Sequence, residues 1–253
     1  MGRQLARTGR LFGVVAGASV LLGLTHVATQ WAGYGRRRRR PPKDPLLDRF
    51  MPTYEVAERH ETMVRAPAAC TFAVARELDL RESSLIRAIF ATRELIMRSS
   101  ESGQSDNEPF LTQVLRLGWA VLAEEPDRQI VLGAVTRPWE GDVKFRGLQP
   151  DEFVKFCDPG YAKIVWTIAV EPRGPTGSVF RTETRVATTD PKSRERFRRY
   201  WAVFSAGIIL IRRETLRLVK REAEQRADWE AVQIPSELIG EDLHLLGSGE
   251  RPW

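Results

Sequence analysis

The sequence contains only two cysteines and three histidines among its 253 residues, and this scarcity excludes several kinds of site. Cys70 and Cys157 lack CxxC spacing, so we expect small buried residues in a reducing compartment. His26, His60 and His244 are scattered and do not form a metal-binding pattern. The sequence also lacks a Walker loop, a GxGxxG turn and a GxSxG elbow, and we therefore expect no metal and no cofactor.

Acidic residues are missing from the first 43 positions, which hold nine Lys and Arg. The rest of the chain has 30 Lys and Arg against 33 Asp and Glu, so the formal net charge of +6 arises from the N-terminal segment alone. A nucleic-acid-binding domain needs clustered cations on its own surface. We therefore expect no nucleic-acid partner for the folded part.

One long apolar run is present, from Leu11 to Ala32, and it carries no formal charge over 22 residues. As a helix rising about 1.5 Å per residue, it is long enough for the ~30 Å hydrocarbon core of a bilayer. The basic run from Arg36 to Arg40 then predicts a single-pass membrane protein with its folded domain in the cytoplasm, and both segments as membrane contacts. The alternatives are a cleaved signal peptide and a translation start at Met51.

Composition divides the chain into five segments. We predict a basic N-terminus at 1–10, a transmembrane anchor at 11–32 and an Arg/Pro-rich linker at 33–53. A folded domain follows at 54–226. The acidic tail at 227–253 has little periodicity, and we expect it to be weakly ordered.

Within the domain, the hydrophobic pattern predicts helices and strands in a definite order. Helices are predicted at 68–78, 83–97 and 110–117. Strands are predicted at 54–64, 119–123, 130–135, 152–157, 162–170 and 179–187, with Val143 to Arg146 as a candidate seventh. Turn residues separate the last three of the six strands and indicate an antiparallel meander.

A long amphipathic helix closes the domain. Asp190 is a suitable N-cap and Pro191 suits the first helical position. Apolar and small residues then recur at alternating steps of three and four: Phe197, Trp201, Phe204, Ile208, Ile211, Thr215 and Leu218. One side of this helix is therefore expected to be buried, either in core packing or against a cavity.

This order of elements resembles the helix-grip fold of the START-like or Bet v 1-like superfamily, which includes polyketide cyclase/dehydrase and lipid-transfer proteins. The resemblance spans residues 54–226. The residues that carry it are Val64 to Pro67, Leu117 to Trp119, Glu124 to Pro126, Asp158 to Lys163, Glu183 to Val186, Thr189-Asp190 and Phe197 to Trp201. It implies an α+β fold in which an antiparallel sheet of six to seven strands wraps around the C-terminal helix. It also implies a cavity for a sterol, isoprenoid, lipid or polyketide.

The residues proposed to bind the ligand are Trp166, Glu183, Arg185, Trp201, Phe204 and Ile208. Trp201, Phe204 and Ile208 would face the cavity from the helix, and Trp166 would form part of its wall. Glu183 and Arg185 share one face of the last strand. If they point inward, they form a buried ion pair that orients a ligand, and if they point outward they form a solvated face.

Three functions fit these features. The first is a noncatalytic binding or transfer module for a hydrophobic small molecule, anchored at a membrane. The second is a cyclase/dehydratase-type enzyme in which Glu183 or His60 acts as general base. The third is a scaffold whose interior is filled by its own side chains. A cavity of several hundred Å³ would favour either of the first two.

Overall fold

The computed structural model of the chain describes residues 43–78, 83–86, 88 and 109–233, together with residues 25, 27–29, 31, 33 and 34. The helices are α1 (Pro45–Phe50), α2 (Ala68–Glu77), α3 (Phe110–Arg116), α4 (Pro150–Lys155) and α5 (Pro191–Gln233). The strands are β1 (Val56–Val64), β2 (Ala120–Glu125), β3 (Gln129–Thr136), β4 (Phe145–Arg146), β5 (Ala162–Pro172) and β6 (Ser178–Thr188). The order of these elements confirms the predicted α+β helix-grip arrangement.

All six strands belong to one antiparallel sheet in the order β1-β6-β5-β3-β2, with β4 paired to β3. The longest ladder joins β5 and β6 from Ala162 opposite Thr188 to Pro172 opposite Ser178. The short strand β4 lies within the 143–146 segment that was the candidate seventh strand. The described residues thus contain six strands, because β4 is added and the segment predicted as a strand at 152–157 is helical.

That segment forms α4, so the prediction of a strand from Glu152 to Cys157 is wrong. Pro150 occupies the first turn, and the Gln149 backbone N–H donates to Glu152 Oε2 at 3.4 Å, which favours a helix start. Phe153 is fully buried against the sheet. Cys157 follows the helix and is exposed, contrary to the expected burial, while Cys70 is partly buried.

The two faces of the sheet are covered by different helices. On the inner face, Ile130, Trp166 and Phe180 join residues of α2 and α5 in one apolar cluster. On the outer face, Val131 and Val165 pack with residues of α1 and α4 in a second cluster. Side chains alternate between these faces along each strand, so neighbouring residues of one strand serve different layers.

Helix α5 is 43 residues long and begins at a well-formed cap. Asp190 Oδ1 accepts hydrogen bonds from the backbone N–H groups of Lys192 (2.9 Å) and Ser193 (3.0 Å), and Asp190 Oδ2 accepts one from Gly160 (2.6 Å). The hydrogen bonds from Ser193 are the main cause of a lowered pKa of the Asp190 carboxyl. The predicted N-cap is confirmed. The helix continues to Gln233, beyond the predicted domain end at 226, and residues 234–253 lie outside the described part.

None of the described helices combines the length and the apolar composition that a bilayer crossing needs. The prediction of a single-pass membrane protein is therefore wrong. Most of the run from Leu11 to Ala32, and all of Arg36 to Arg40, lie outside the described residues.

Two described residues at the end of the apolar run and just after it, Trp31 and Tyr34, contact α5. The Trp31 carbonyl accepts hydrogen bonds from the Arg198 guanidinium at 2.7 and 3.1 Å, and that guanidinium lies 4.1 Å from the centre of the Trp31 ring. The Tyr34 ring lies 6.1 Å from the ring of Phe197.

Candidate functional site

A cavity of about 920 Å³ lies between the inner face of the sheet and the first half of α5, from Phe197 to Arg212. Phe197 and Trp201 of α5, which line the cavity, also pack in an apolar cluster with Val56, Ala162 and Val186. The part of α5 after the cavity packs through Leu216 and Val219 in the main inner cluster. The cavity is open to solvent on one side, and part of its rim comes from the end of α3, the segment around β4 and Ala88.

The wall of the cavity is mainly apolar. Its apolar residues from the sheet and α5 include Ile164, Val186, Phe197, Tyr200, Trp201, Val203, Phe204, Ile208 and Ile211. Trp119 and Phe145 stack at the rim with ring centres 5.1 Å apart. Among the described residues that line it, none is an acid, a histidine or a cysteine. A wall of this kind suits an apolar ligand with few polar groups.

The structure separates the six residues that the sequence proposed for ligand binding. Trp201, Phe204 and Ile208 line the cavity from α5. Trp166 lies on the same face of the sheet but belongs to the adjoining core, where it is 7 % exposed. Glu183 and Arg185 are on the outer face, with the sheet between them and the cavity.

Glu183 and Arg185 are nevertheless buried, so neither of the two predicted orientations describes them. Their side chains are 0 % and 1 % exposed because α1 covers them. Arg185 Nε donates to Glu183 Oε1 at 2.7 Å, and Arg185 Nη1 donates to Asp48 Oδ1 at 2.6 Å and to the Met51 carbonyl at 3.0 Å. Burial alone would lower the pKa of Arg185, but its hydrogen bonds with Glu183 and Asp48 raise it.

The same layer contains a second buried arginine. Arg181 Nη2 lies 3.1 Å from Asp44 Oδ2, and Arg181 also pairs with Glu171. Asp44 is the N-cap of α1 and accepts from the Leu47 backbone N–H at 3.0 Å and from Gln129 Nε2 at 3.0 Å. We refer to the side chains of Asp44, Asp48, Glu171, Arg181, Glu183 and Arg185 as the outer ion network. These side chains bind α1 to the sheet, and none of them is among the residues that line the cavity.

The most distinctive polar group of the cavity is Arg212, which the sequence-based prediction missed. Arg212 Nη1 donates to Thr182 Oγ1 at 2.8 Å, and its guanidinium lies 4.8 Å from the centre of the Trp166 ring. Within the described part of the chain, no carboxylate lies within ion-pair distance of it. Burial lowers the pKa of Arg212 to about 9, although the charge of Glu58 opposes this shift.

A second unusual polar group lies on the same face. Thr184 lines the cavity two residues after Thr182 on β6, and its buried Oγ1 has no hydrogen-bond partner. Most buried hydroxyl groups are paired, because an unpaired one forfeits its hydrogen bonds to water. Thr182 differs, since its Oγ1 accepts from both Arg212 and Trp166 Nε1.

The sequence did contain a signal for Arg212. It stands four residues after Ile208 and three before Thr215, so it falls on the side of α5 that the apolar stripe marks as buried. The predicted apolar stripe includes Ile211 but not the next residue, Arg212, although Arg212 also lies on the buried side of the helix. A cation at such a position points either to an ion pair or to a ligand.

Gly118 shapes the rim of the cavity. Its φ is +95°, and a Cβ placed there would lie 2.3 Å from the Phe145 carbonyl oxygen, so the residue allows β4 to approach the end of α3. We expect Gly118→Ala to destabilise the fold by about 2–4 kcal/mol, since it adds backbone strain and a clash with the main chain.

Gly174 provides the matched control, because its φ is also positive at +80° but a Cβ added there would meet no neighbouring atom within 4 Å. We expect Gly174→Ala to cost about 1 kcal/mol from backbone strain alone. Urea unfolding of both variants measures the difference. Equal losses for the two variants would contradict the close approach at Gly118.

Solved structures with a similar arrangement exist in several bacteria. A hypothetical protein from Helicobacter pylori is 11 % identical with a TM-score of 0.34, and the match covers 76 % of this chain and 98 % of that one. A START superfamily protein from Mycobacterium smegmatis is 12 % identical with a TM-score of 0.25, over 69 % and 98 % of the two chains.

A third similar structure is the Zhui aromatase/cyclase from Streptomyces sp. R1128, at 13 % identity and a TM-score of 0.22, covering 68 % of this chain and 94 % of that one. No family model matches the sequence, and no curated protein matches it. At these identities and TM-scores, the START-like comparisons carry no argument about the ligand. We therefore infer the function from the cavity itself.

Proposed function

We propose that this protein binds a hydrophobic small molecule of the lipid, sterol, isoprenoid or polyketide type in the cavity between the sheet and α5, and does so without catalysing a reaction. The observation that carries the proposal is a cavity of about 920 Å³ with a mainly apolar wall. Ligand sites of small molecules are typically about 300–1,000 Å³. A scaffold filled by its own side chains would leave no such space.

The absence of acids and histidines from the described wall favours binding over chemistry. Glu183, one of the two candidate bases, lies on the opposite face of the sheet. His60, the other candidate, is not among the residues that line the cavity, and its Nε2 lies 3.6 Å from Glu58 Oε2. A general base must come within hydrogen-bond reach of the proton that it removes.

Native mass spectrometry of the full chain purified from cells, followed by organic extraction, tests the proposal. A stoichiometric apolar molecule that dissociates from the protein is expected. Its mass would identify the chemical class of the ligand. A clean apo mass that persists after incubation with a total lipid extract would refute the proposal and favour a structural role.

A substitution that fills the cavity should abolish binding. We expect Ile208→Trp to lower the affinity for the neutral dye Nile red at least ~10-fold, because the larger ring occupies the space of the ligand. Leu210→Trp is the matched control, since Leu210 is 45 % exposed on the same helix and is not part of the wall. Fluorescence titration measures both variants. Retention of full affinity by Ile208→Trp would place the dye elsewhere.

A further inference from the structure

Arg212 combines a charge with a mainly apolar environment, and this combination restricts the ligand. An arginine guanidinium has five N–H donors, and the single hydrogen bond of Arg212 within the described structure is the one to Thr182. Its side chain is only partly exposed and lines the cavity. The unused donors are therefore available to a molecule in the cavity.

The acidic residue that most affects Arg212 does not neutralise it. Glu58 lies on β1 opposite Thr184 and contributes an electrostatic attraction, but it is not within ion-pair distance of Arg212. The carboxylate of Glu58 is instead 3.6 Å from His60. A cation that is largely removed from water and has no ion pair is costly, and this desolvation lowers the pKa of Arg212.

Thr184 provides a second and independent observation. It is only 8 % exposed, it lines the cavity, and its hydroxyl has no partner. A ligand oxygen that accepts from the Thr184 hydroxyl would satisfy it. Thr184 follows Thr182, the hydrogen-bond partner of Arg212, by two residues on the same face of β6, so Arg212 and Thr184 belong to the same part of the wall.

We infer that the cavity binds an amphipathic carboxylate, such as a fatty acid or another carboxylic acid with an apolar body, with its head group at Arg212 and Thr184. The planar fork of arginine matches the two oxygens of a carboxylate, and charge-assisted pairs are about twice as strong as neutral hydrogen bonds. The apolar body lies along Trp201, Phe204 and Ile208. This inference rests on the proposed function and names its ligand class.

The basic side chains at the rim fit the same ligand class. Arg116 and Lys144 belong to the part of the wall near the end of α3 and β4. Apart from Tyr200, the ionisable side chains of the described wall are Arg116, Lys144 and Arg212, and all three are cations. Cations along a cleft raise the local concentration of anions and speed their association.

Decanoate and 1-decanol provide the test, because they share an apolar chain and differ in the head group. Displacement of bound Nile red from the full chain at pH 7.5 measures the affinity of each compound. We expect decanoate to bind at least ~10-fold more tightly than decanol. Equal affinities would overturn the carboxylate inference while leaving the binding cavity in place. Failure of the chain to bind Nile red or either compound would instead remove the proposed function itself.

Substitution of Arg212 tests whether this residue causes the preference for decanoate over decanol. We expect Arg212→Met to weaken decanoate binding ~10- to 100-fold and to change decanol binding by less than ~3-fold. The matched control is Arg213→Met, since Arg213 is exposed and is not part of the wall. A folded Arg212→Met protein that binds decanoate as the parent does would overturn the inference, and Arg212→Lys, which keeps the charge, should bind decanoate with intermediate affinity.

Discussion

A chain that begins at Met51 is expected to lose its fold at 25 °C, whereas a chain that begins at Lys43 is expected to keep it. The difference between the two is α1 with its N-cap. Leu47 is 0 % exposed and Phe50 is 3 % exposed, and burial of each contributes about 1.5–3 kcal/mol. The lost helix would also uncover the apolar outer face of the sheet.

The electrostatic loss adds to the apolar one. Without Asp44 and Asp48, the buried Arg181 and Arg185 each keep one carboxylate partner, Glu171 and Glu183 respectively. Removal of one partner from a buried ion pair costs about 3–5 kcal/mol when no partner is left, and the cost here is smaller because each arginine keeps a carboxylate. The combined loss is comparable with the whole free energy of unfolding of a domain, about 5–15 kcal/mol.

Urea unfolding followed by circular dichroism compares the two chains. The longer chain should show a cooperative transition, and the shorter one should show none or a midpoint near zero urea. Coincident midpoints would show that α1 contributes little to the fold. The result also bears on translation from Met51, because a protein made from that codon would lack the helix that covers its sheet.

Arg185→Met is expected to destabilise the full chain by about 3–5 kcal/mol. Methionine keeps much of the volume of arginine but cannot pair with a carboxylate. The fully buried Glu183 then has Arg59 as its basic partner, at the longer distance of 3.5 Å between Arg59 Nη1 and Glu183 Oε2. The Met51 carbonyl also loses its donor. Asp48 is 40 % exposed and can turn to water, so the main cost arises at Glu183.

The matched control is Arg199→Met, which breaks an exposed pair with Glu195 on the surface of α5 and should cost less than about 1 kcal/mol. The double variant Arg185→Met/Glu183→Leu should recover most of the lost stability, because it also removes the buried carboxylate that the single variant leaves with Arg59 as its basic partner. Urea midpoints of the four proteins measure these differences. A single variant as stable as the parent would show that the buried pair is dispensable.

The sequence predicted the order of the elements well where turn chemistry and apolar periodicity agreed. Asp190 and Pro191 mark the start of α5, and the strands predicted at 162–170 and 179–187 correspond to β5 and β6. The prediction failed at 152–157, where a short hydrophobic run predicts a strand, whereas residues 150–155 form a helix. Pro150 and Glu152 at the helix start decide that segment, since local capping outweighs a short apolar pattern.

The candidate site was only partly predictable, for a physical reason. Trp201, Phe204 and Ile208 were placed correctly because helical periodicity identifies one buried side. Periodicity of two along β6 showed that Glu183 and Arg185 share a face, but it contains no information about which face meets the helix. Their burial depends on α1, which lies more than a hundred residues earlier in the sequence and was assigned to a linker.

The charges on β6 also specify how the sheet is assembled. A shift of one residue between β6 and its neighbours would turn Arg181, Glu183 and Arg185 toward the apolar inner layer and would remove Asp44 and Asp48 from their reach. Each misaligned pairing would then bury charges without partners, at several kcal/mol per ion. The outer ion network therefore discriminates against misaligned sheets, a task that the interchangeable aliphatic side chains of β3 and β5 cannot perform.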